Sequence, residues 1–224
     1  MLLLPYLNNW LYFAIVFGLF LVISFIMIKL SGRFYTKDVV VRKFNIMELQ
    51  VPATATELVN LIRGLYLLPP AQSVKAIGAL RTHLKLDFLF MPLAYGSVFL
   101  LNWKVAHKME HPLGHYVFMA FAFLQFIAWL CDIIENIYLL KKIQPEPVKT
   151  DAETHRNYLR MEAIKWGIYL TGLVCAVSAI FYFWLAGNYN AVSFDYLLVV
   201  FGEIVVFLIA VKISSKGNKK NEVK

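Results

Sequence analysis

The stretch "YVFMAFAFLQFIAWLCDIIENIYLL", Tyr116 to Leu140, is long and apolar, yet it carries Asp132, Glu135 and Asn136 near one end. At 1.5 Å per residue, about 20 apolar residues cross a hydrocarbon core of about 30 Å. Four other windows have the same character, at residues 10–30, 86–103, 164–185 and 196–213. The sequence therefore predicts an all-α integral membrane protein, a five-helix transmembrane bundle forming a single membrane domain over residues 1–224.

The composition and the placement of charge support this class. Hydrophobic residues make up 60% of the chain and charged residues 16%, whereas a soluble domain is about half apolar and about one quarter charged. The net charge of +8 is concentrated after the first, third and fifth windows, around 29–43, 141–160 and 212–224. The positive-inside rule then predicts an amino terminus outside and a carboxyl terminus in the cytoplasm, with a basic tail at 214–224. Basic charge of this kind contacts anionic lipid headgroups, and no nucleic-acid partner is expected.

A cytoplasmic insertion, residues 31–85, is predicted between the first two spans. The stretch "DVVVRKFNIMELQV", residues 38–51, is rich in β-branched residues and predicts a short strand or an extended stretch. Thr54 and Glu57 have the spacing of a capping box, which predicts a helix start. The stretch "AQSVKAIGALRTHLK", residues 71–85, predicts an amphipathic helix that runs on into the second span. The insertion is interpreted either as a lid or lipid-contacting collar, or as a connector that covers the bundle.

The third span places its acids on one side. With its centre near Ala128, Asp132 lies about 6 Å and Glu135 about 10 Å toward the cytoplasmic side. An acid at the centre of a bilayer costs about 2.5 to 3.5 kcal/mol, so these carboxylates should face protein or water. Helical periodicity puts Gln125, Asp132 and Asn136 on one face. The span therefore has one polar face.

Polar residues of the second and fourth spans are expected at a similar depth. Asp87 follows His83 at the i, i+4 spacing that shares a helix face, and Tyr95 lies two turns deeper. Lys165 enters the fourth span from the cytoplasmic side and is the cation expected to approach the acids. The sequence thus predicts a polar cavity that opens to the cytoplasm. Its candidate ligand-binding residues are His83, Asp87, Tyr95, Gln125, Asp132, Glu135, Asn136 and Lys165.

Three interpretations of these residues remain open. The first is a binding or transport-related protein that holds a cation, a proton or a lipid headgroup, with Asp87, Asp132 and Glu135 as the candidate metal ligands. The second is a membrane enzyme that acts on a lipid or isoprenoid by carboxylate acid and base chemistry. The third is a structural or assembly partner whose acids fix helix packing. The expected partners are the bilayer, a lipid or cation ligand, and another membrane protein; a divalent cation or a lipid is the expected cofactor, if there is one.

The stretches "LKLDFLFMPLAYG" and "CDIIENIYLL" resemble small multi-pass bacterial membrane proteins for which no activity is known. The resemblance covers residues 44 to about 140 and includes "FNIMELQVPATATELVNLI". Its motifs match here at Asp87, Tyr95, Asp132, Glu135 and Asn136. It implies no activity, but it implies that these polar residues belong to a shared pattern and that the protein is a multi-pass protein of the bacterial cytoplasmic (inner) membrane.

Overall fold

The computed structural model describes residues 7–188 and 191–222 and is nearly all helical. Its elements, numbered along the chain, are α1 (Trp10–Ser31), β1 (Tyr35–Lys37), β2 (Val41–Lys43), α2 (Ile46–Gln50), α3 (Ala55–Tyr66), α4 (Pro70–Lys108), α5 (Pro112–Lys142), α6 (Ala152–Leu185) and α7 (Ala191–Glu222). Proline is the first residue of both α4 and α5, a position where a backbone N–H has no partner within the helix.

Within the part of the chain that the structure describes, five helices are long and apolar enough to cross a membrane, namely α1, α4, α5, α6 and the part of α7 over Phe194–Ser214. The prediction of five such helices is confirmed. The orientation of the chain and the cytoplasmic place of residues 31–85 stay predictions. Of the basic tail predicted at 214–224, Val223 and Lys224 lie outside the described residues.

The segment between α1 and α4 begins with a hairpin in which β1 and β2 pair antiparallel, Thr36 opposite Arg42. The strand predicted within residues 38–51 is present at Val41–Lys43, but its extension over residues 46–50 is wrong, because α2 forms there. Asn45 accepts a hydrogen bond from the N–H of Met47, and its own N–H donates to Glu48 Oε1. This capping box favours helix over strand at α2.

Helix α3 packs on the hairpin through a side rich in buried apolar residues. Thr54 caps it by accepting from the N–H of Glu57 at 3.1 Å, whereas Glu57 itself bonds to the N–H of Ala53 rather than to that of the cap. Thr36 of β1 donates to the carbonyl of Leu61 at 2.9 Å. The core here consists of Phe34, Phe44, Leu58, Leu61, Ile62, Leu65, Leu80 and Leu84, with further neighbours.

By its contacts the chain forms two compact units. Of the described residues, the first unit holds 7–25, 90–129, 166–188 and 191–222, and the second holds 26–89 and 130–165. Helices α1, α4, α5 and α6 contribute residues to both units, so a single membrane domain over residues 1–224 stays a prediction. The described secondary structure of α4 continues without interruption through Pro92.

Candidate functional site

The second unit contains a buried cluster of three carboxylates around one ammonium group. Lys165 of α6 places its Nζ 3.2 Å from Asp132 Oδ1, 2.8 Å from Glu162 Oε2, and in an ion pair with Glu135 Oε2. Asp132 and Glu135 lie one turn apart on α5, and Glu162 lies one turn before Lys165 on α6. Lys165 is 2% exposed and Glu135 is fully buried. We refer to Asp132, Glu135, Glu162 and Lys165 as the carboxylate cluster.

A second polar contact joins α5 to α4 within the same unit. Asn136, one residue after Glu135, donates from Nδ2 to Asp87 Oδ2 at 2.9 Å and to the carbonyl of Leu84 at 3.2 Å. Asn136 is fully buried and Asp87 is 6% exposed. His83 precedes Asp87 by one turn and packs edge-on against Phe34, with ring centroids 5.2 Å apart. The second unit therefore brings five of the predicted residues into bonded contacts, and places His83 beside them.

The charges in this region do not balance if every group is ionised. Asp87, Asp132, Glu135 and Glu162 against Lys165 give four negative charges and one positive charge. Glu135 Oε1 and both side-chain oxygens of Glu162 accept no hydrogen bond from the described residues, although Glu162 Oε2 is ion-paired with Lys165. A protonated carboxyl group carries no charge, so a proton on one of these acids reduces the charge imbalance.

Glu162 is absent from the residues predicted by sequence. The local sequence could have indicated Glu162, because it precedes Lys165 by three residues, a spacing that puts the two side chains on the same helix face. The acids of α5 were selected by their depth in an apolar run, whereas Glu162 lies in a stretch with more charged neighbours.

Gln125 and Tyr95, also predicted for the acid site, belong to the first unit instead. Gln125 donates from Nε2 to the carbonyls of Phe121 at 3.2 Å and Ile168 at 3.5 Å. Tyr95 meets Tyr169 edge-on, with ring centroids 5.5 Å apart. Gln125 and Tyr95 together line a pocket whose other described lining residues are Pro92, Gly96, Phe99, Phe126 and Trp129.

Over residues 7–188 and 191–222, no three His, Cys, Asp or Glu side chains form a group that could hold a metal ion. The metal ligands predicted at Asp87, Asp132 and Glu135 are arranged instead around Lys165 and Asn136. A comparison of the chain with protein-family models, with curated proteins and with solved structures finds no match in any of the three. The proposals that follow therefore rest on the geometry of the described residues.

Proposed function

We propose that this protein is a multi-pass protein of the bacterial cytoplasmic membrane that binds a proton at the carboxylate cluster, as part of a binding or transport-related activity. The amino terminus is placed outside and residues 31–85 are placed in the cytoplasm, following the distribution of basic residues. The observation that carries the proposal is the excess of buried carboxylates over the single ammonium of Lys165.

Burial is the physical reason for choosing a proton. An ionised carboxylate without a partner is costly away from water, and a site that is closed to water satisfies such a group most simply by protonating it. Glu135 Oε1 and Glu162 Oε1 accept no hydrogen bond from the described residues, so either oxygen can carry the proton. A metal ion or a lipid headgroup would need several oxygens turned toward it, and here three carboxylates are turned toward Lys165.

The test is infrared spectroscopy of the purified protein in lipid, in which protonated carboxyl groups have a carbonyl stretch distinct from that of carboxylates. We expect such a band at neutral pH, and we expect Glu135→Gln and Glu162→Gln to reduce it. Glu153→Gln is the matched control, because Glu153 is exposed on the same helix as Glu162. A spectrum with no protonated carboxyl band in the wild type would contradict the proposal.

Two further measurements separate the alternatives. Proteoliposomes that contain a pH-sensitive dye report proton flux; flux lost in Asp132→Asn indicates transport, and a carboxyl band without flux indicates binding alone. Native mass spectrometry reports retained ligands. A metal ion or lipid bound to the wild type and lost from folded Asp132→Asn would replace the proton as the ligand of the cluster.

A purely structural role is the second candidate, because the bonds of Lys165 and Asn136 cross between helices. Buried ion pairs of this kind can fix the register of neighbouring helices. In that case Asp132→Asn should lower the fraction of folded protein, and the folded remainder should be as active as the wild type. The proton-binding proposal expects the reverse, a folded protein that lacks the activity.

A further inference from the structure

Helix α7 carries one acid in the middle of its apolar stretch. Residues 196–211 contain a single charged residue, Glu203, and the part of α7 long enough to cross a membrane, Phe194–Ser214, has its midpoint at Ile204. Glu203 therefore lies about 1.5 Å along the helix from the centre of that span. A charged side chain is most costly at this depth, so an acid here must be paired, protonated or in contact with water.

The carboxyl group of Glu203 rests against a glycine of α1. A Cβ atom added at Gly18 would lie 2.8 Å from Glu203 Oε1, so the carboxyl group occupies the space that a side chain at this position would fill. Gly18 lies about 4 Å along α1 from the midpoint of that helix. The contact thus joins the central parts of two helices that are each long and apolar enough to cross a membrane. Both residues belong to the first unit.

The surroundings of this carboxyl group do not stabilise a negative charge. Glu203 Oε2 is enclosed and accepts no hydrogen bond from the described residues, and no charged side chain among them acts on Glu203. In the adjoining part of α1, residues 13–25, every side chain except that of Ser24 is apolar, and the Ser24 hydroxyl donates to the carbonyl of Phe20. A carboxylate here would lack both a counter-charge and a donor at Oε2, whereas a protonated carboxyl group has no charge to compensate.

We propose that Glu203 is a second proton-binding site, whose carboxyl group carries a proton at neutral pH and is seated in the gap that Gly18 leaves on α1. A proton fits because it needs no cavity. A metal ion would need several oxygen ligands, and Glu203 brings one carboxyl group to a wall of apolar side chains. The site does not depend on the carboxylate cluster, since every residue of that cluster belongs to the second unit.

The first test compares infrared spectra of the wild type and of Glu203→Gln in lipid at neutral pH. We expect the variant to lose part of the protonated-carboxyl band. Asp195→Asn is the matched control and should retain the whole band, since Asp195 is exposed near the start of the same helix. Glu135→Gln should leave the part assigned to Glu203 in place, which separates failure at this site from failure at the carboxylate cluster. An unchanged band in Glu203→Gln would overturn the proposal.

The second test is chemical labelling of the wild type, which requires no variant to fold. Dicyclohexylcarbodiimide dissolves in the bilayer and reacts with protonated carboxyl groups. The acid proton moves to a nitrogen of the reagent, the carboxyl oxygen bonds to the central carbon, and acyl transfer from oxygen to nitrogen leaves a stable N-acylurea. Glu203 is partly exposed, so we expect peptide mass spectrometry to find this adduct at Glu203 and to find none with a water-soluble carbodiimide.

A pair of glycine variants tests the seat. Gly18→Ala should increase the rate of labelling, because the new methyl group displaces the Glu203 carboxyl from its enclosed position. Gly202→Ala is the control and should leave the rate unchanged, since a Cβ at Gly202 meets nothing within 4 Å. The proposal is overturned by a wild type without the adduct at Glu203, by equal labelling with the two reagents, or by equal rates in the two glycine variants.

Discussion

Replacing Lys165 with Met removes the ammonium group and leaves three buried carboxylates facing one another. In the structure this single group is paired with Asp132, Glu135 and Glu162, and is itself only 2% exposed. Breaking a buried ion pair by deleting one partner costs about 3 to 5 kcal/mol. We expect a loss of free energy of unfolding in that range, because no solvent is available to the remaining carboxylates.

The loss can be measured by titrating the protein in mild detergent with a denaturing detergent and following far-UV circular dichroism. Arg156→Met is the matched control, since Arg156 is an exposed cation on the same helix. Adding Glu135→Gln and Glu162→Gln to Lys165→Met should recover part of the loss, because the uncompensated charge left on this pair disappears. A loss below about 1 kcal/mol, the usual value of an exposed ion pair, would refute the view that the cluster is closed to water.

Two further predictions concern the segment between α1 and α4. Gly64→Ala should destabilise the protein by about 1 to 3 kcal/mol, because the new Cβ would clash with Thr36 Oγ1. Gly78→Ala is the control and should cause no such loss, because a Cβ there meets nothing within 4 Å; thermal unfolding compares the two variants. Burial acts to raise the pKa of Glu48, but hydrogen bonds from the Asn45 N–H and from Arg42 outweigh it and hold that pKa below its ordinary value. The stabilisation from the Glu48 carboxylate is therefore present at neutral pH and is lost as the pH falls through and below about 4.3. Glu48→Gln should be less stable than the wild type at pH 7 and equally stable in strong acid. Equal stability of the two proteins at both pH values would contradict this.

The five apolar helices could be predicted from sequence because length and composition alone decide them. The polar face of α5 could also be predicted, since helical periodicity places Asp132 and Asn136 on the same side of the helix. The hydrogen-bond partners of these polar residues could not be predicted from sequence. Asn136 bonds to Asp87 and to a backbone carbonyl, and both contacts depend on how α4 packs against α5.

Because Gln125 and Asp132 share a helix face, the sequence also grouped them in one site. Gln125 lies seven residues before Asp132, so the two have nearly the same direction from the helix axis but differ by about 10 Å along it. A direction does not determine a neighbour: Gln125 bonds to the backbone at Ile168, and Asp132 pairs with Lys165. Part of the stretch predicted to hold a short strand or extended segment, residues 46–50, forms α2 instead. Its β-branched pattern changes phase at Ile46, where the Asn45 cap begins α2.

The register of α5 against α6 shows why variants of the carboxylate cluster can be interpreted. Within the second unit Asp132 pairs with Lys165, and further along α5 Tyr138 packs on Tyr158, with ring centroids 5.0 Å apart. Residue numbers rise on one helix as they fall on the other, as two antiparallel helices require. Tyr158 is buried and donates to the carbonyl of Leu49 at 3.4 Å, which anchors this contact independently of any carboxylate.

Asp132→Asn therefore removes a charge without removing the contact that aligns the helices. Asparagine keeps the shape of the side chain and an oxygen that can still accept from Lys165. We expect the variant to fold with unchanged helix content and with near-native resistance to denaturing detergent, while its carboxyl infrared band changes. If its stability instead falls as far as that of Lys165→Met, the ion pairs rather than the tyrosine contact set the register, and the cluster is a device for packing helices.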